Sequence, residues 1–289
     1  MSTLLAVKAQ LRRAPLVYSI TGAIWRCGVR NAWRIRSGLF RSVPIRCRSR
    51  ETTVLLHPAG QIAEALWSHD FERTDREFVA STIRTGMAVL NVGANAGLYT
   101  LIASKIVGPS GSVHAFEPSS STFALLEKNV RINSCCNVRL NHVAAWHSPG
   151  FIHLIDDASD PELDGHRRVD GFSENQARFD AGGEIVRCIS LDEYAESANL
   201  KSVDYIIMDI EGAEFDAMQG ARKLLQRFRP IIIFECTCSH QAIEELLGGL
   251  GYRCFAYRDG RIKLADMMVD SRAVNLIALT EESALRMNS

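Results

Sequence analysis

The chain has 289 residues, 47% of them hydrophobic and 23% charged, enough to bury one sizeable core, and no repeat or low-complexity tract interrupts it. A formal net charge of zero, from 33 basic and 33 acidic residues, excludes a uniformly basic nucleic-acid coat. Eight cysteines include no C-x-x-C pair, so they read as small core residues and free thiols, not a disulfide framework or a zinc site.

The zero hides an asymmetry. Residues 1–50 carry Lys8 and ten arginines with no acid, so the remainder carries a net charge of −11. Leu16, Tyr18, Trp25, Trp33 and Phe40 are interleaved with those arginines. Such a basic extension suits an anionic membrane surface or docking onto the acidic body, and both readings stand. No nucleic-acid partner is expected. No segment reaches the roughly 20 apolar residues needed to span a bilayer, and no cleavage site follows residues 14–25. Cytoplasmic residence is expected, with the extension as a candidate peripheral membrane contact.

Residues 51–289 read as one domain in which strands and helices alternate, predicting a doubly wound, mostly parallel α/β sheet. Residues 53–56 form an entry strand and 73–83 a helix. A buried strand follows, with Met87, Val89, Leu90 and Val92, and runs into the turn Gly93, Ala94, Asn95, Ala96, Gly97. The next helix places Leu98, Leu101, Ile102 and Ile106 on one face. Residues 112–118 are a second strand ending at Glu117 and Pro118, and serines 119–121 cap a helix buried through Phe123, Leu126 and Val130. Further strands fall at 137–140, just before His142 and Ala144, and at 151–155.

Residues 156–184 break the alternation, with nine acids, three arginines and four glycines, and read as a lid or a surface insertion. Arg167 and Arg168 within it either meet an anionic substrate group or stay solvated. Strands resume at 203–208 and 231–234, separated by a helix over 214–225 that buries Phe215, Met218 and Leu225. Residues 252–257 and 274–279 close the sheet, with Asp259 and Gly260 as a turn between shorter strand segments.

A glycine-bearing turn between a strand and a helix offers backbone N–H groups to a ligand. Glu117, twenty residues beyond Gly97, is placed to accept hydrogen bonds from ribose hydroxyls. A nicotinamide fingerprint requires glycine where Asn95 stands, and no G-K-[ST] follows to make a phosphate loop. The spacing is closer to a site for S-adenosylmethionine, with its carboxylate against the turn.

Three acids end the later strands: Asp209 and Glu211 after 203–208, and Glu235 after 231–234. Strand alternation turns Asp209 and Glu211 to one side, and paired acids ending an apolar strand are costly without partners. Glu214 reads as a helix cap, and His142 and His240 are secondary proton acceptors. The carboxylates offer oxygen to Mg²⁺ but form no dedicated ligand pattern, so no metal is assigned. A serine-nucleophile elbow is absent.

The segments NVGANAGLYT, AFEP, YIIMDIEGAEFDAMQGA and RPIIIFE together resemble the FkbM family of S-adenosylmethionine-dependent methyltransferases, typically acting on oxygen, across about residues 62–280. Two positions depart from the family pattern: Asn91 replaces an aspartate and Met208 a lysine. The resemblance implies a class I, Rossmann-like methyltransferase domain. It places Asn91, Gly93, Ala94, Asn95, Gly97, Glu117, Pro118, His142, Ala144 and Asp209 around the cofactor. Asp209, Glu211 and Glu235 are then the catalytic candidates, and the acceptor is a hydroxyl of a saccharide, glycolipid or secondary metabolite. A nicotinamide-dependent oxidoreductase and a catalytically silent cofactor-binding protein are the alternatives.

Overall fold

A computed structural model describes residues 43–47, 52–56, 72–156, 167–175, 183–258, 260–270 and 275–288. Most of the basic extension, and so the expectation of a membrane or docking contact, lies outside the described residues. Among the described residues no helix is long and apolar enough to cross a membrane.

β1 (Val43–Cys47) and β2 (Thr52–Leu56) form an antiparallel pair. Then come α1 (Arg73–Thr82), β3 (Ala88–Val92), α2 (Leu98–Val107), β4 (Ser112–Phe116), α3 (Ser120–Ile132) and β5 (Val138–Asn141). Four strands follow, with no helix between them among the described residues: β6 (Ala144–Ala145), β7 (Gly150–Asp156), β8 (Arg167–Ser173) and β9 (Glu184–Ile189). The alternation returns with α4 (Leu191–Ser197), β10 (Tyr205–Met208), α5 (Glu214–Gln219), α6 (Arg222–Phe228), β11 (Ile231–Phe234) and α7 (His240–Gly249). The described chain ends with β12 (Tyr252–Arg258), β13 (Arg261–Leu264), α8 (Met267–Asp270), β14 (Leu276–Thr280) and α9 (Glu281–Asn288).

The main sheet has the order β13-β12-β14-β11-β10-β3-β4-β5. From β11 to β5 the pairings are parallel, and β14, β12 and β13 join antiparallel. This is the expected doubly wound sheet. β3 and β10 are buried at every position, as central parallel strands covered by helices on both faces must be. Val89, Tyr205, Ile207 and Ile233 pack with α1 and α2 on one face; Leu90, Val92, Ile206, Met208 and Phe234 pack with α4 to α7 on the other. Met208 thus faces a helix layer, as its place in the strand predicts.

Asn129 fastens the entry strand to this body. Fully buried on α3, it accepts from Leu55 N (2.8 Å) and donates to Leu55 O (2.9 Å) and to Ala96 O in the glycine-bearing turn (2.7 Å).

Two expectations need correction. Residues 156–184 do not form one long loop: β8 pairs with β7, and β9 joins β7 and β6 in a second, four-stranded sheet of order β6-β9-β7-β8. β8 is stabilised by its ladder to β7, which a charged, glycine-bearing sequence does not advertise locally. Residues 157–166 and 176–182 lie outside the described residues.

The single helix expected over 214–225 is two. Gly220, between α5 and α6, packs so closely that a Cβ there would lie 2.1 Å from Trp146 O. Asp192 of α4 then caps the fresh N-terminus, accepting from Lys223 N (3.1 Å) and Leu224 N (2.7 Å). Phe215 is half-buried, while Met218 and Leu225 are buried as expected.

Candidate active site

One cavity opens at the carboxyl ends of β3, β4, β10 and β11, where ligands of open α/β sheets collect. Gly93 (φ +78°) lets the chain leave β3 against the end of β10; a Cβ there would lie 1.8 Å from Asp209 O. Asn95 is also left-handed (φ 47°), and its Oδ1 accepts from Ala96 N at 2.6 Å. Asparagine tolerates this conformation better than most residues, which accounts for it where a nicotinamide fingerprint has glycine.

The turn was expected to offer its own amides to a ligand; the fold uses them internally. Gly93 N and Ala94 N both donate to Phe116 O (3.0 and 2.8 Å), and Gly97 N to Ala94 O (2.8 Å). Asn95 N donates to Glu117 Oε2 and Ser119 N to Glu117 Oε1, both at 2.9 Å. The donors left for an anion belong to the first turn of α2, which starts after Gly97 and has no side-chain cap.

Asn91, Gly93, Ala94, Asn95, Glu117, Pro118, Ala144 and Asp209 all line the cavity. Asn91 is buried and donates from Nδ2 to Thr100 Oγ1 of α2 (2.8 Å). Gly97 closes the turn behind the lining, where a Cβ would meet Leu126 at 2.6 Å. His142, expected among the cofactor residues, is outside the lining: it is exposed, and its ring stacks on Phe123 with centroids 4.5 Å apart. Phe123 offers it an apolar face on α3 that sequence spacing does not reveal. His240 begins α7 and is likewise not among the lining residues.

The three catalytic candidates do converge. One carboxylate oxygen from each of Asp209, Glu211 and Glu235 lies within 4.8 Å of the others. The route differs from strand alternation, because β10 ends at Met208 and the chain reverses through Glu211 (φ 54°) and Gly212 (φ 92°). Burial, then the like charges of Glu72, Glu235 and Glu211, push the Asp209 carboxyl well above the usual carboxylate range. Glu214 holds the reversal: fully buried, it accepts through Oε1 from Ile210 N (3.1 Å) and Gly212 N (3.3 Å), while Oε2 has no hydrogen-bond partner among the described residues. Burial raises its carboxyl to about 7. Glu214 thus holds the loop ahead of α5 and is not the helix cap the sequence suggests, since α5 has no side-chain cap.

Several cavity residues gave no signal in the sequence. Glu72, just before α1, reaches the lining and accepts from the Tyr99 hydroxyl at 2.6 Å. An acid ahead of a helix reads locally as a cap, and nothing near it marks its distant partners. Trp146, Ile152, Leu154 and Val169 supply an apolar wall from the small sheet. No Lys, Arg or His is among the described lining residues, and the Arg167 and Arg168 side chains lie outside what is described.

Residues 91–254, more than half of the chain, match the model of the methyltransferase FkbM domain. The chain is 28% identical over 165 residues to 2-O-methyltransferase NoeI of Sinorhizobium fredii (strain NBRC 101917 / NGR234), covering 54% of this chain and 66% of that protein. It is 21% identical over 184 residues to Methyltransferase 1 of Beauveria bassiana (strain ARSEF 2860), covering 58% of this chain and 71% of that protein. Among solved structures it is similar to Methyltransferase FkbM from Methylobacillus flagellatus KT, with TM-score 0.42 and 12% identity; the match covers 74% of this chain and about half (53%) of that one. The chain belongs to the FkbM methyltransferase family, whose cofactor is S-adenosylmethionine.

The cavity residues fit that cofactor. The uncapped start of α2 suits its carboxylate, and Glu117, each oxygen holding one backbone amide, keeps lone pairs for ribose hydroxyls. Phe116, Pro118, Val143 and Ala144 offer apolar surface to a purine.

Proposed function

We propose that this methyltransferase methylates a hydroxyl oxygen of a saccharide, glycolipid or secondary metabolite. The observation that carries the reading is the convergence of Asp209, Glu211 and Glu235 on the cavity that also holds Glu117 and the start of α2. Bound S-adenosylmethionine supplies an electrophilic methyl group. The chain must then bring the acceptor oxygen into line and receive its proton. Alignment of reactants removes about 7–11 kcal/mol of a barrier, and general-base assistance contributes about 10²–10⁴-fold. The carboxylates of the cavity suit both tasks: they offer oxygens to acceptor hydroxyls, and one of them can take up the proton. The similarity to a 2-O-methyltransferase supports oxygen as the target atom.

The basic extension adds that the acceptor is presented at an anionic membrane surface, with the enzyme cytoplasmic and peripheral. Flotation with anionic liposomes tests this part: lipid association should disappear when residues 1–50 are deleted, and unchanged association sinks it.

Incubating the protein with methyl-labelled S-adenosylmethionine and a cell extract, then identifying the product, tests the reaction. The label should appear in an O-methyl ether. Label on nitrogen or carbon, or tight binding of NAD with no calorimetric response to S-adenosylmethionine, overturns it.

A further inference from the structure

We propose that Glu72, oriented by Tyr99, is the carboxylate that receives the acceptor's proton, while Asp209, Glu211 and Glu235 hold the acceptor. This rests on the methyl-transfer reading above. Glu72 lies on a different segment from the other three, at the N-terminal end of α1, in a left-handed backbone conformation (φ 40°) that glutamate rarely adopts. Strain of this kind persists where the surrounding structure imposes it, commonly at functional sites.

The hydrogen bonding separates Glu72 from the other acids of the region. Glu117 has both oxygens engaged by backbone amides, and Glu214 clamps the chain reversal and is not among the lining residues. Asp209 has no side-chain anchor among the described residues. Glu72 has one oxygen fixed by the Tyr99 hydroxyl at 2.6 Å, and its other oxygen takes no hydrogen bond among the described residues. A base held through one atom by an orienting group, with the second atom presented to the cavity, is the arrangement proton abstraction requires. Burial and the neighbouring Glu72 charge hold the Tyr99 hydroxyl far above its ordinary range, so it remains a donor throughout.

In the step, the acceptor O–H proton passes to the unanchored Glu72 oxygen as the oxygen lone pair forms the new C–O bond. The C–S bond breaks with its electron pair staying on sulfur, so a sulfonium becomes a neutral thioether and the carboxylate a carboxylic acid.

The charged and titratable groups facing Glu72 are Asp75 and Arg76 on its own helix, Tyr99 on α2, Asp209 and Glu211 after β10 and Glu235 after β11. Burial is the largest influence and raises the Glu72 carboxyl; Tyr99 opposes it. Removing the Tyr99 hydroxyl therefore raises it further, and a base that works ionised then needs higher pH.

The test uses Glu72→Gln and Tyr99→Phe in the full chain. With labelled methyl donor and cell extract, Glu72→Gln should lose about 10²-fold or more of the transfer rate. Its calorimetric affinity for S-adenosylhomocysteine should stay within about threefold, roughly 0.65 kcal/mol. Tyr99→Phe should move the acid limb of the rate profile to higher pH. Retained transfer in Glu72→Gln, loss of binding in proportion to rate, or an unmoved limb in Tyr99→Phe each overturns the proposal. Carboxyl-labelled glutamate NMR with S-adenosylhomocysteine bound decides it without an acceptor. A resonance titrating above the ordinary carboxylate range should vanish in Glu72→Gln and shift upward in Tyr99→Phe; its absence overturns the role of Glu72. If the wild-type protein binds the cofactor but methylates nothing, the hydroxyl-methylation reading fails, and the NMR result still stands for or against Glu72.

Discussion

The two sides of the cavity treat the same functional group in opposite ways. At the end of β4, Glu117 is anchored: backbone amides of Asn95 and Ser119 each hold one of its oxygens. At the ends of β10 and β11, Asp209, Glu211 and Glu235 crowd within 4.8 Å, and Asp209 is pushed far from its ordinary range. A carboxylate supplied with amides is a rigid acceptor. A buried carboxylate beside like charges, as Asp209 is, holds a proton more readily. One side is built to hold a ligand in place and the other to respond to chemistry.

The sharpest way to break this contrast is at the hinge between the two sides. Gly93→Ala forces a methyl group to within 1.8 Å of Asp209 O at a left-handed position, so the end of β10 must move. The expected loss is about 3 kcal/mol or more, read by urea denaturation, with cofactor binding abolished. Native-like stability would mean the sides are not packed through Gly93.

On the holding side, Glu117→Ala strands the Asn95 and Ser119 amides. It should cost about 1–3 kcal/mol of stability and weaken S-adenosylmethionine at least about tenfold by calorimetry. Glu117→Gln keeps one acceptor and should fall between. If Ala and Gln behave alike, the amide bonds are not what Glu117 provides.

On the reactive side, Glu214→Gln keeps an Oε1 acceptor for Ile210 N and Gly212 N while removing a buried charge. The sign follows from a folded carboxyl raised from 4.5 to about 7. Between those values the folded state binds the extra proton, so this group's contribution to stability is full below pH 4.5 and is lost as pH rises toward 7. The variant should thus match wild type near pH 4.5 and exceed it by about 1–2 kcal/mol at pH 8.5 in chemical denaturation. A gain of equal size at both pH values would remove the charge argument.

The smallest expected effect is at the border. Asn91→Asp adds the carboxylate that the family resemblance implies at this position, and the Thr100 hydroxyl can donate to it in place of the present bond (2.8 Å). Cofactor affinity should rise by up to about fivefold, worth under about 1 kcal/mol. An unchanged or weaker affinity would mean that Asp209 and its neighbours already neutralise the cofactor's positive charge.

The centre of the sheet was legible because β3, β4, β10, β11 and β14 are largely apolar runs of four or five residues. The glycine turn, Glu117, Asp209, Glu211 and Glu235 were legible because each stands at the end of such a run. Other features had no local mark. β8 depends on β7, and the break between α5 and α6 depends on Trp146 pressing against Gly220. His142 was drawn away by Phe123, and Glu72 was brought in from the start of α1.

Sequence alone thus determined the doubly wound fold, the nucleotide-type turn and the acids beside it, because hydrophobic period and glycine placement act over a few residues. Only the tertiary structure decided that the turn's amides serve the protein itself, that Asp209 and Glu211 meet through a chain reversal, and that Glu72 and Tyr99 join the same cavity. Those outcomes depend on contacts between segments far apart in the chain. They exist only once burial has brought the segments together.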